Sequence, residues 1–128
     1  MQDFYWFILL VAANSSILIA LTINVSRLRM KHKVSWGDGG NKDLMKAIRV
    51  HSNGTEQVPI YALIILSLSF TTTTGIVLPI LVATFTLSRL IHAYGMLCRK
   101  PILRRVGAAV TYVSQLAATI ALLASLNA

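Results

Sequence analysis

Four long apolar stretches alternate with short polar ones along this chain. Phe4–Val25 carries no charged residue, and Pro59–Leu78 is apolar apart from Tyr, Ser, Thr and Gly. Pro79–Cys98 contains Arg89 and His92 as its basic groups and no acid, while Val106–Leu126 contains no acid, Lys or Arg. Each stretch supplies roughly the 20 residues needed to cross the hydrocarbon core of a bilayer. A water-soluble bundle would instead need a polar stripe on every helix, and the first and fourth stretches have none. The pattern predicts one all-α domain over residues 1–128. It is an integral membrane, up-down four-helix bundle with helices at about 4–29, 43–74, 78–98 and 104–126. The first stretch reads as a retained helix rather than a signal peptide, since Asp3 precedes it without any Lys or Arg.

Composition strengthens that reading. Hydrophobic residues make up 55% of the chain and charged ones 12%, with a mean hydropathy of +0.68. That charge content is about half of what soluble domains carry. Twelve Lys and Arg against four Asp and Glu leave a net charge of +8, unevenly placed. Arg27, Arg29, Lys31, Lys33, Lys42, Lys46 and Arg49 lie between or at the facing ends of helices 1 and 2. Arg99, Lys100, Arg104 and Arg105 lie between helices 3 and 4. The Thr71–Gly75 turn and the C-terminal tail carry no charge. The positive-inside rule then places both basic loops in the cytoplasm and both termini outside it. Such charge at the ends of membrane spans suits anionic lipid, and no nucleic-acid-binding motif accompanies it. Gly37–Asn41 is a turn signal without phosphate-loop spacing, and Trp36 is suited to anchoring it at the interface. Cys98 is the only cysteine, so no disulfide or cysteine-based metal site forms within the chain.

The candidate chemistry lies where helix 2 enters the membrane. Arg49, Asn53 and Glu56 recur at i, i+4 and i+7, one helical stripe with Ser52 at its edge, and His51 falls on another side. Ionisable groups at this depth are costly unless partnered. Arg27, Arg49, Arg89, Arg104 and Arg105 are the cations within reach of Glu56, and Arg89 and His92 share a face at i and i+3. Two readings follow. Arginines and one carboxylate can bind an anionic, peptide-like ligand, Glu56 taking its ammonium group; or they form an ion-pair network that fixes the bundle. There is no hydrolytic triad and no metal-ligand motif, and a small transporter is a third possibility.

These residues resemble the family of small membrane proteins in eicosanoid and glutathione metabolism. That family includes microsomal glutathione transferases and the microsomal leukotriene and prostaglandin synthases. The resemblance rests on Arg27-Leu28-Arg29, on Arg49-x-His51-x-Asn53-x-x-Glu56 followed by Pro59, on Arg89-x-x-His92, and on an arginine opening helix 4. It covers nearly the whole chain and is strongest for small bacterial members of the inner membrane. It implies a homotrimer with glutathione, as thiol substrate or ligand, held between subunits near the cytoplasmic side. Arg27, Arg49, Asn53 and Glu56 would contact the tripeptide, with Ser52 where some members have another arginine. Arg89 would order the cavity, His92 and Arg104 would complete it, and Arg105 would be the catalytic arginine that stabilises the thiolate, with Arg104 as the alternative. The partner substrate would be a lipophilic electrophile from the bilayer. Met96 stands where catalytic members commonly carry a tyrosine, which leaves a non-catalytic small-molecule or lipid-binding protein as the competing expectation.

Overall fold

The computed structural model describes residues 2–71 and 75–127. Within them the chain forms α1 (Gln2–His32), α2 (Lys42–Ser69), α3 (Val77–Leu97) and α4 (Pro101–Ala124), ending in a short 3₁₀ turn, Ser125–Asn127. Cross-helix contacts fix the direction of each element. Leu28 packs on Leu44 and Ala47 at one end of the α1–α2 pair, and Ser69 Oγ reaches the Asp3 carbonyl at the other. Tyr61 on α2 donates to the Leu81 carbonyl on α3 at 2.9 Å, and Ser88 on α3 meets Thr111 on α4 at 2.9 Å. Sequential helices are therefore antiparallel, an up-down bundle.

Three of the four helices, α1, α3 and α4, are long and apolar enough to cross a membrane. The apolar window Pro59–Leu78 is shared between α2 and the start of α3. α2 stops at Ser69, Phe70 closes it by donating to the Leu68 and Ser67 carbonyls, and α3 starts only at Val77. The expectation that helix 2 reaches residue 74 thus fails at residues 70 and 71, and residues 72–74 lie outside the described ones. The physical reason is local: Thr-rich sequence ending in a glycine of positive φ (Gly75, 32°) is turn chemistry. The apolar half of α2, Val58–Ser69, is only about 18 Å long at 1.5 Å per residue. Its polar half therefore enters the depth of the bundle.

The apolar core sits at the end holding the chain termini. Leu10, Tyr61, Ile64, Ile65, Leu68, Leu78, Leu81, Val82, Phe85 and Ala118 are buried together there, and the Tyr61 and Phe85 rings stack with centroids 3.8 Å apart. At the opposite end the connections are built from backbone bonds and basic residues. α1 and α3 both end with a non-glycine residue in the left-handed region, Lys33 (φ 55°) and Arg99 (φ 56°). Each is held by a bond from the following N–H back to the last turn, Val34 to Arg29 and Lys100 to Gly95. Left-handed backbone costs a residue with a Cβ about 1 kcal/mol or more. In the first connection the Arg29 guanidinium donates to the Gly37 carbonyl at 2.8 Å, and Asn41 caps α2 by accepting from Leu44 N at 2.9 Å. Asn41→Ala is expected to lower stability by about 1 kcal/mol, read as a lower thermal midpoint in detergent with the helical circular dichroism signal retained; an unchanged midpoint would remove the cap from the account.

Candidate functional site

The polar stripe of α2 comes to the surface as a groove. Glu56, Gln57 and Ile60 from α2 face Tyr112, Gln115, Leu116 and Thr119 from α4 across a space of about 480 Å³. Its walls mix one carboxylate, two amides and hydroxyls with exposed apolar Ile60 and Leu116. The stripe extends the groove along α2. At 3.6 residues per turn Arg49 lies within about 20° of Glu56, and Arg49, Ser52 and Glu56 are all exposed while Asn53 is half-buried. Ser52 and Asn53 lie on either side of the Arg49–Glu56 line, Asn53 toward the side on which Val50 and Gly54 are buried in the bundle. The two helix 4 arginines are not in the groove lining: by register Arg105 falls within about 20° of Tyr112 and Leu116 and Arg104 within about 20° of Gln115, and Arg104 lines a different cavity with Lys46, Gly95, Met96, Arg99 and Pro101.

Of the two readings, the ion-pair network finds no pair at Glu56 among the described residues. Among the described residues the one side-chain ion pair is Arg99 with Asp43 at 3.0 Å, near the end of the bundle and exposed. The Arg99 guanidinium donates to the Asp43 carboxyl there and holds it below the usual carboxylate range. Glu56, Arg49 and Arg105 make no side-chain hydrogen bond among the described residues, and Arg27 donates to Asn24 Oδ1 at 3.0 Å, one helical turn away. The groove thus holds one carboxylate, Glu56, without an ion-pair partner among the described residues.

Arg89 and His92 are placed differently from the sequence expectation. Arg89 is 4% exposed and lines a separate cavity of about 10 Å³ with Asn14, Ile17, Leu18, Leu21, Gly54 and Val58. That cavity shares no lining residue with the Glu56 groove. Gly54, inside the helix 2 motif, makes this arrangement possible, since a Cβ there would stand 2.6 Å from Leu18 Cδ2. His92 is also buried, with Nδ1 3.3 Å from the Arg104 carbonyl. It joins α3 to the first turn of α4 instead of facing the groove. His51, as its register predicts, points to α1, where Nε2 lies 2.9 Å from Thr22 Oγ1.

Sequence reasoning did not pick out the α4 wall or the buried Asn14. Asn14 donates to the Leu10 carbonyl and to Thr86 Oγ1, while its own Oδ1 has no partner among the described residues. Tyr112, Gln115 and Thr119 follow a helical period, the signal that would have grouped them. Met96 is half-buried against Leu21, Val50 and Ala93, and Tyr94 is 52% exposed. Neither offers a phenol to the groove; Tyr112 does.

Fold and site together define an integral membrane four-helix protein with a groove lined by one carboxylate, two amides and two hydroxyls. The chain belongs to the MAPEG family, whose model matches residues 7–124. It is similar to the inner membrane protein YecN of Escherichia coli K12, 32% identical over 103 residues that cover 80% of this chain and 79% of that one. The protein of the same name from Escherichia coli O6:H1 matches to the same extent.

Proposed function

We propose that the groove between α2 and α4 binds glutathione and that the protein is a glutathione transferase-like enzyme of the inner membrane. One observation carries the reading: Glu56 lines the groove and holds no ion pair among the described residues, while Arg49 and Arg105, both exposed, lie by helical register near groove-lining positions of α2 and α4. A tripeptide with two carboxylates, one ammonium and a thiol supplies the complementary charges. Arg49 and Arg27 would take carboxylates through guanidinium bonds, Ser52 and Asn53 would add neutral contacts, and Glu56 would accept from the ammonium. Arg105 would stabilise the thiolate, lowering the thiol pKa. The thiol proton passes to water, the sulfur forms a bond to the electrophilic carbon, and in a substitution the leaving group departs with its electron pair. Ile60 and Leu116 would guide a lipophilic electrophile. A homotrimer, with basic loops in the cytoplasm, would close the open side of the groove. Arg89 and His92 act here on the frame, through helix packing.

Binding without turnover is the second reading, and Met96, half-buried against aliphatic side chains where catalytic relatives commonly carry a tyrosine, favours it. Titration of glutathione into protein in nanodiscs, followed by conjugation of an aryl halide, separates the two. Saturable binding with turnover that Arg105→Ala reduces by roughly 100-fold supports the enzyme. Saturable binding with turnover no faster than the uncatalysed rate selects the binder, and absence of saturable binding removes both.

A further inference from the structure

We infer that a second site, at the turn between α3 and α4, binds the phosphate group of an anionic lipid. The cavity there measures about 240 Å³ and is lined by Lys46, Gly95, Met96, Arg99, Pro101 and Arg104. It has no lining residue in common with the Glu56 groove. Its three cations come from three different parts of the chain, α2, the turn and α4, so the fold has gathered them. The acid beside them is Asp43, which occupies one nitrogen of Arg99. Lys46 and Arg104 form no ion pair among the described residues.

The start of α4 adds to this positive field. Lys100 at its N-cap makes no side-chain capping bond, and no acid lies in the first turn. Arg99, Lys100, Arg104 and Arg105 crowd a helix end that already bears partial positive charge, an arrangement that repels itself unless an anion is present. Arg99 also holds a left-handed backbone, φ 56°, that glycine would adopt more readily.

Position decides between lipid and soluble phosphate. The pocket lies at the ends of two apolar spans, and Leu97 and Ile102, which flank the turn, are both exposed. A headgroup phosphate in the pocket would leave its acyl chains beside such apolar surface. Basic pockets between membrane helices at this depth suit anionic headgroups.

Native mass spectrometry of the delipidated protein, titrated with phosphatidylglycerol or phosphatidylcholine, tests the site. The variants are Lys46→Gln and Arg99→Gly; the second removes the guanidinium while suiting the backbone, so folding is preserved. Wild type is expected to prefer phosphatidylglycerol by about tenfold, and each variant to lose most of that preference. Inorganic phosphate that competes with phosphatidylglycerol supports the phosphate chemistry. Inorganic phosphate that binds while the two lipids bind equally assigns the pocket to a soluble anion and overturns the lipid. An undiminished preference in the folded variants overturns the site.

Discussion

Gly107→Ala is expected to unfold much of the α3–α4 pair. A Cβ at this position would stand 2.5 Å from His92 N and 2.6 Å from His92 Cα, both backbone atoms that cannot rotate away. The two helices would have to separate, and overpacking of this kind costs about 1–3 kcal/mol, more where backbone must move. Separation also strains the His92 contact to the Arg104 carbonyl and the Ser88–Thr111 hydroxyl pair. The measurement is the unfolding midpoint in a detergent titration, with Ala108→Gly as a nearby control. Gly95 makes a similar demand one turn nearer the end, where a Cβ would press on the backbone of Leu103 and Arg104. Unchanged midpoints for Gly107→Ala and Gly95→Ala together would mean that α3 and α4 do not approach this closely.

Glu56→Ala is expected to weaken glutathione binding by roughly tenfold to a hundredfold, the loss of a charge-assisted hydrogen bond worth about 1.5–3 kcal/mol. The same substitution should leave the unfolding midpoint close to wild type. Glu56 is exposed, and it holds no ion pair among the described residues, so no buried cation is left without its partner. This combination distinguishes a binding carboxylate from a structural one. A large fall in stability with little change in affinity would reassign Glu56 to the frame of the bundle.

Arg89 shows why spacing and depth did not specify the whole site. Its i, i+3 relation to His92 correctly put both on one helix face, but that face packs inward. Arg89 lies against Asn14 and Gly54, and His92 against α4. A helical period states which residues share a face; it does not state which neighbour that face meets. Long-range placement depends on where backbones approach most closely, and here Gly54 and Gly107 control it through atoms they lack. The groove's second wall was hidden for a related reason. Tyr112, Gln115 and Thr119 are ordinary polar residues of an apolar helix until Glu56 is brought opposite them.

By itself, the sequence determined the all-helical membrane character of the chain, the alternation of apolar spans with basic connections, and the helix 2 stripe bearing Arg49 and Glu56. Those features follow from transfer free energy and a 3.6-residue period, which are properties of local composition. Tertiary structure decided that α2 stops at Ser69, that Glu56 faces Tyr112 and Gln115 of α4, and that Arg89 is enclosed. It also gathered Lys46, Arg99 and Arg104 into one pocket. These depend on which helix faces pack together, and packing is settled by contacts between residues far apart in the chain.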